Sequence, residues 1–115
     1  MNGAMLDCSR NGVMSIPAVK RMIRYMALMG LNMLMLYTED TYEVPEYPYF
    51  GYMRGRYSAQ ELKEMDDYAA SYGIELIPCI QTLAHLEDAF RWPCFQEIID
   101  CDNILLCGEE KTYDF

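Results

Sequence analysis

The feature that most constrains the fold is an apolar run over residues 32–37, which stops just before the paired carboxylates Glu39 and Asp40. A continuous apolar run of this length is typical of a strand that is buried on both faces, as strands in parallel sheets are. In α/β enzymes the C-terminal ends of such strands carry the chemistry. Glu39 and Asp40 are therefore candidate site residues, and the alternative is a solvated turn after a strand.

Two further runs, over 4–8 and 74–80, predict strands, and helical periodicity predicts helices over 16–29 and 59–72. The second helix begins with a capping box, Ser-x-x-Glu, which is a specific helix-start signal. A short strand is predicted near residues 104–107. The β-α-β-α-β order predicts an α/β fold in which the three strands are parallel neighbours and both helices lie on one side. It is compatible with either a (β/α)₈ barrel or an open sheet.

Polar residues follow each predicted strand. Asp7 and Arg10 come at the end of the first strand, and Gln81 and the single histidine, His85, come after the third. Such repeated placement resembles the catalytic face of a barrel, where side chains from several strand ends converge. We therefore predict that Glu39 or Asp40 lies within hydrogen-bonding reach of His85, directly or through one water. The alternatives are that Asp7 is satisfied by loop amides and that His85 is structural.

The tyrosine-rich loop over residues 41–57 is longer than most connections, and long loops are often functional. Tyrosine offers a flat apolar face with a polar tip, which suits the binding of sugars. The alternative is that these rings only pack the loop onto its own scaffold.

Composition narrows the classes of function. A net charge of −9 without a basic cluster argues against nucleic-acid binding. Charged residues interrupt the longest apolar helix pattern, so no membrane span is predicted. Five cysteines without a CxxC motif indicate reduced thiols in a cytoplasmic protein, and the lone histidine argues against a zinc site. No GxGxxG or Walker motif follows the first strand, and no cofactor is predicted.

Four segments together resemble the β-N-acetylhexosaminidases of glycoside hydrolase family 20: GAMLDCSR (3–10), residues 32–40, YPYFGYMRGRY (47–57) and IPCIQTLAHLE (77–87). The resemblance follows the chain in order and fits the first three βα units of a (β/α)₈ barrel. It implies removal of terminal N-acetylglucosamine or N-acetylgalactosamine from a glycan. In this family the substrate's own acetamido oxygen is the nucleophile.

The resemblance also implies roles for particular residues. Glu39 and Asp40 occupy an acidic pair that is usually two aspartates, and His85 matches a histidine that, with an acidic residue, supports the catalytic acid. Which of the two carboxylates points inward stays open.

Substrate contacts are implied at Asn2, Asp7, Arg10 and Tyr42. The family has a sugar-gripping arginine at the position of Asn2, so that contact is lost or altered here. Arg10 matches a different arginine with a structural or supporting role.

The family's general acid is a glutamate in an Asp-Glu pair after the fourth strand, and Glu109 and Glu110 instead indicate a turn and a helix start. A barrel of this type needs about 250 residues. Residues 1–115 are therefore interpreted as an N-terminal fragment of the catalytic domain that lacks the general acid, is inactive alone and forms a homo-oligomer. The alternative is a small self-contained α/β protein that binds a ligand or assembles with itself.

Overall fold

A computed structural model describes residues 1–10 and 12–115. Its main sheet has three parallel strands in the order β1-β2-β3, and two helices, α1 and α2, connect them. Their bounds are Gly3–Asp7 (β1), Ile16–Leu28 (α1), Met33–Tyr37 (β2), Ala59–Ser71 (α2) and Glu75–Cys79 (β3). The α/β prediction is confirmed, as are the parallel pairing of the strands and the positions of both long helices.

Local sequence explains where the helices begin and end. At the start of α2, the Ser58 hydroxyl accepts a hydrogen bond from the Glu61 amide, and the Glu61 carboxylate accepts one from the Ser58 amide. At the start of α1, the Ser15 side chain makes no such bond. Both helices are followed by a glycine with a positive φ, 74° at Gly30 and 69° at Gly73, a conformation that other residues rarely adopt.

Alternate residues of the sheet face opposite sides. Leu34 and Leu36 of β2 are buried against the two helices, together with core residues that include Val19, Ile23, Met65 and Ala69. Each of the fully buried Val, Leu, Ile and Met side chains contributes roughly 1.5–3 kcal/mol. The opposite face, which we call the inner face, carries the in-register residues Met5, Met35 and Ile77, and Met5 is exposed.

Beyond the sheet, the chain forms short elements around a second core that includes Phe50, Leu86, Phe90 and Phe95. These elements are Glu87–Phe90 (α3), a 3₁₀ helix over Pro93–Ile98, Ile99–Cys101 (β4), Ile104–Leu105 (β5) and Glu110–Asp114 (α4). The predicted strand near 104 is confirmed, and it has an antiparallel partner, β4, for which no strand was predicted. Glu110 begins α4, as expected for a turn and helix start.

Two general features concern the described residues as a whole. All five cysteines are free thiols, and only Cys8 is buried. Across residues 1–10 and 12–115, no helix has the length and apolar character needed to cross a membrane.

Candidate functional site

The C-terminal ends of the three parallel strands form one edge of the sheet, which we call the rim. Asp7 of β1, Tyr37 of β2 and Cys79 of β3 are in register there. Neighbouring strands lie about 4.8 Å apart, so the loops that leave them can place side chains in mutual contact. The residues that follow β2 include buried Glu39 and Asp40.

Glu39 is held at the rim by two hydrogen bonds. Its carboxylate accepts one bond from Arg10 Nη1 at 2.7 Å and another from the Tyr37 hydroxyl at 2.9 Å. Tyr37 alternates with Leu34 and Leu36, whose side chains face the helices, so its ring belongs to the inner face. Glu39 is therefore the carboxylate that lies on the inner side of the rim.

The Glu39 cluster joins Arg10, which follows β1, to Tyr37 at the end of β2. Hydrogen bonding to Glu39, followed by its negative charge, raises the pKa of Arg10, so this cation is fixed at any physiological pH. Burial, followed by donation to Glu39, raises the pKa of the Tyr37 hydroxyl. The cluster thus presents one carboxylate whose two partners both donate to it.

Backbone conformation also distinguishes this position. Glu39 has φ +49° and His85 has φ +62°, and both lie in the left-handed region that residues other than glycine rarely occupy. Such conformations concentrate at functional sites, where the surrounding structure has to hold them. Two of the residues singled out from the sequence therefore carry this feature.

Asp40 has a different environment. Arg54 Nε lies 3.2 Å from Asp40 Oδ1, without the angles of a hydrogen bond, and neither carboxylate oxygen is hydrogen-bonded within the part of the chain that the structure describes. Burial raises the pKa of Asp40 and outweighs the opposing charge of Arg54. Arg54 also donates to the Asp88 carboxylate and the Ser9 carbonyl, so it links the loops that follow all three strands.

Close packing of the long loop encloses Asp40. Gly51 has φ +64°, and a Cβ atom there would lie 2.1 Å from the Asp40 carbonyl oxygen. Only glycine meets both requirements. The loop over 47–57 therefore covers Asp40 and supplies the arginine that pairs with it.

Asp7 takes the role of a loop cap. Its carboxylate accepts hydrogen bonds from the Ser9 hydroxyl at 2.6 Å and the Ser9 amide at 2.8 Å. These two bonds, in that order, lower the pKa of Asp7. The arrangement matches the alternative in which Asp7 is satisfied by its own loop.

Two other predicted residues are not brought into the cluster. His85 follows β3 on the rim side and is exposed, and it makes no hydrogen bond or ion pair with any residue in ranges 1–10 and 12–115. Of the two forms of the predicted contact between His85 and a carboxylate, the direct bond is therefore not formed, and the contact through one water stays a prediction. Asn2 precedes β1, roughly 16 Å from the rim at about 3.3 Å per residue, and its backbone amide donates to Asn32 Oδ1.

Tyr42 lies at the start of the long loop and packs against the second core. Its ring packs edge-on against Phe50, with centroids 5.1 Å apart. Burial, followed by the charge of Asp40, raises the pKa of the Tyr42 hydroxyl. Tyr42 also lines a cavity of about 370 Å³ with Gln81 and Thr82 of the loop after β3.

Sequence reasoning missed three contributors: Tyr37, Arg54 and Asp88. One signal was available for Arg54, because a carboxylate next to a buried strand needs a cation and the long loop contains two arginines.

For metals, the described residues contain no group of three or more His, Cys, Asp or Glu side chains placed to hold an ion.

Comparison with known proteins gives consistent matches. Residues 2–106 match the glycosyl hydrolase family 20 catalytic domain. A probable beta-hexosaminidase from Drosophila melanogaster is 31% identical over 99 residues, which cover 78% of this chain and 15% of that protein.

Solved structures extend the match. The N-acetyl-beta-hexosaminidase of Streptomyces plicatus in complex with Thio-NAglucal has 26% identity and a TM-score of 0.83, with 99% of this chain and 28% of that chain covered. An exo beta-N-acetylglucosaminidase from Vibrio harveyi has 22% identity and a TM-score of 0.86, over 99% and 24% of the two chains, and supports the fold alone. This chain thus spans less than a third of the length of each of these relatives. It belongs to glycosyl hydrolase family 20 as a part of the (β/α)₈ catalytic domain.

Proposed function

We propose that this chain forms the first βα units of a β-N-acetylhexosaminidase that hydrolyses terminal N-acetylglucosamine or N-acetylgalactosamine residues. One observation carries the proposal: buried Glu39 lies on the inner side of the rim, oriented by Arg10 and Tyr37. A buried carboxylate with two fixed donors is an orienting device, because its oxygens cannot rotate without losing a charge-assisted bond. The family assignment supports this reading of the rim.

The proposed reaction is substrate-assisted. The acetamido oxygen of the terminal sugar attacks its own anomeric carbon, so the protein supplies no nucleophile. A general acid must protonate the leaving oxygen, and its pKa and orientation depend on neighbouring groups. We assign Glu39 and His85 to this supporting role, with Asp40 as a buried structural carboxylate.

The 115-residue chain alone is proposed to be inactive. Its sequence contains no Asp-Glu pair, which is where the family has its general acid. The purified chain is therefore expected to give no turnover of a chromogenic N-acetylglucosaminide. Turnover that co-purifies with the folded chain would contradict the missing-acid argument.

The role of His85 is tested in a longer protein that contains this chain and the rest of the barrel. There, His85→Ala should lower kcat by about 10²-fold, in the range of losses for groups that orient catalytic residues or transfer protons. Leu83→Ala, which truncates an exposed side chain in the same loop, serves as a control for general disturbance of the loop. A kcat that is unchanged in His85→Ala would remove His85 from the site.

Self-association is the second candidate property. Met5 on the inner face is exposed, and among the described residues β1 and β3 each pair along one side only. Such uncovered edges and apolar faces favour pairing with another copy. Light scattering is expected to show a dimer or larger oligomer, which Met5→Lys weakens while Leu28→Lys, on an exposed helix end, does not. A monomer at every concentration tested would reject this property.

A further inference from the structure

Two exposed tyrosines and the half-buried Trp92, which packs against the second core, form an aromatic cluster that the rim does not use. The rings of Tyr49, Tyr52 and Trp92 contact one another, with centroids 5.2–5.5 Å apart. Tyr49 is 46% exposed and Tyr52 is 44% exposed. We call these three residues the aromatic platform.

The exposure of the platform contrasts with its neighbours. Phe50, which lies between the two tyrosines in sequence, is buried, as are Tyr57 at the end of the same loop and Phe95 in the second core. The core therefore already has its aromatic residues. Tyr49 and Tyr52 leave nearly half of their surface in solvent, which packing of the loop does not require.

Polar groups border the platform. The Arg91 guanidinium lies 5.0 Å from the Trp92 ring centre and donates to the Tyr52 carbonyl. Arg91 Nη1 is 3.7 Å from Asp88 Oδ1. With Arg54 and Met53, these groups line an open groove of about 420 Å³.

The platform lies on the rim side of the molecule. Tyr49 and Tyr52 belong to the loop that follows β2, and Trp92 follows α3, which comes after β3. Arg54 spans the distance between them, because it contacts both Asp40 and Asp88. A chain of sugars whose terminal unit lies at the rim therefore has this surface beside it.

We propose that the aromatic platform binds further sugar units of a neutral oligosaccharide, beyond the terminal residue that is cleaved. The C–H faces of pyranose rings are apolar and stack on aromatic rings, while the alternating donors and acceptors of Arg91 and Asp88 suit hydroxyl groups. The opposite charges of this pair favour a neutral ligand. The proposal rests on the proposed function for the identity of the glycan.

The chain provides its own reporter, since Trp92 is its only tryptophan. Titration of the 115-residue chain with tri-N-acetylchitotriose is expected to give a saturable change in tryptophan fluorescence, with tighter binding than N-acetylglucosamine gives. Tyr52→Ala should weaken binding by roughly fivefold, the factor that corresponds to one aromatic stacking contact. Tyr72→Ala, which removes a ring that is 43% exposed just after α2, is the matched control and should leave binding unchanged.

The proposal would be wrong if the fluorescence of a chain shown to be folded by circular dichroism gave no saturable change. It would also be wrong if Tyr52→Ala bound the trisaccharide as tightly as wild type does, or if a sulfated trisaccharide bound as tightly as tri-N-acetylchitotriose. Glu39→Gln separates the two proposals, because it should leave this fluorescence titration unchanged. If a longer protein binds the trisaccharide here but does not hydrolyse it, the proposed function fails and the platform stands.

Discussion

Glu39 and Asp40 are adjacent in sequence, both buried, and yet differ in every other respect. Glu39 accepts well-formed hydrogen bonds from Arg10 and Tyr37 on the inner side of the rim. Asp40 is enclosed beneath the tyrosine-rich loop, and its one close cation, Arg54, lacks hydrogen-bond geometry. The difference shows that a pair of carboxylates after a strand can divide into one that lies on the inner side of the rim and one that is enclosed by a loop.

The cations show the same division. The Arg10 side chain is 61% exposed, whereas that of Arg54 is 10% exposed. Water can replace an exposed partner at little cost, but it cannot reach a buried one. The two pairs should therefore respond differently to the loss of their arginine.

The largest expected effect on stability comes from Arg54→Met. The substitution leaves the buried Asp40 carboxylate without its cation, and we expect a loss of about 3 kcal/mol in the free energy of unfolding. Arg10→Met is the matched control and should cost at most about 1 kcal/mol, since water can replace Arg10 at the surface. Urea unfolding of both variants measures the difference.

A double variant sharpens this comparison. If Asp40 is the group that needs Arg54, Arg54→Met with Asp40→Asn should be more stable than the sum of the two single effects predicts. Equal losses for Arg54→Met and Arg10→Met, with additive behaviour in the double variant, would contradict the distinction between the two pairs.

A smaller effect is expected at Gly51. An alanine there combines an unfavourable positive φ with a Cβ that would lie 2.1 Å from the Asp40 carbonyl oxygen, so Gly51→Ala should cost about 2 kcal/mol. Gly73→Ala has a similar φ but no atom within 4 Å of the new Cβ, and should cost about 1 kcal/mol. Thermal unfolding measures the loss of stability in each variant. Equal losses would mean that Gly51 does not lie in close contact with the Asp40 backbone.

Much of the fold was predictable because local signals agreed with the long-range pattern. The capping box at Ser58 and Glu61 marked the start of α2, and the apolar run at 32–37 marked the buried central strand. The hairpin of β4 and β5 was only half predicted, because a three-residue strand has too little sequence to carry an alternating pattern.

The site was harder to predict. Side chains alternate along a strand, but that rule ends where Glu39 adopts a left-handed backbone, so the sequence could not say which carboxylate faces inward. Arg54 is 14 positions beyond Asp40, and only the folded loop brings the two together. The structure shows no direct hydrogen bond of His85 among the described residues, and its contact with a carboxylate through one water stays a prediction.

The smallest expected effect is a pH dependence of opposite sign at Asp40 and Asp7. Burial raises the pKa of Asp40, so its stabilising contribution is fully present below the ordinary value of 3.8 and is lost as the pH rises through the raised pKa. Hydrogen bonds from Ser9 lower the pKa of Asp7, so its contribution is present above 3.8 and is lost as the pH falls through the lowered pKa.

Two asparagine variants measure these slopes. As the pH rises above 3.8, wild type should lose stability relative to Asp40→Asn. As the pH falls below 3.8, wild type should lose stability relative to Asp7→Asn. Unfolding free energies between about pH 3 and pH 6 cover both windows. Slopes of the same sign would show that the two aspartates do not have the contrasting environments described.

The central claim is that Glu39 orients the catalytic acid of a hexosaminidase, and its most direct test is kcat in a longer protein that contains this chain and the rest of the barrel. Glu39→Gln keeps the shape of the side chain but removes its charge. It should lower kcat for a chromogenic N-acetylglucosaminide by about 10²-fold while the protein stays folded. A kcat within about threefold of wild type, in a folded variant, would contradict the account.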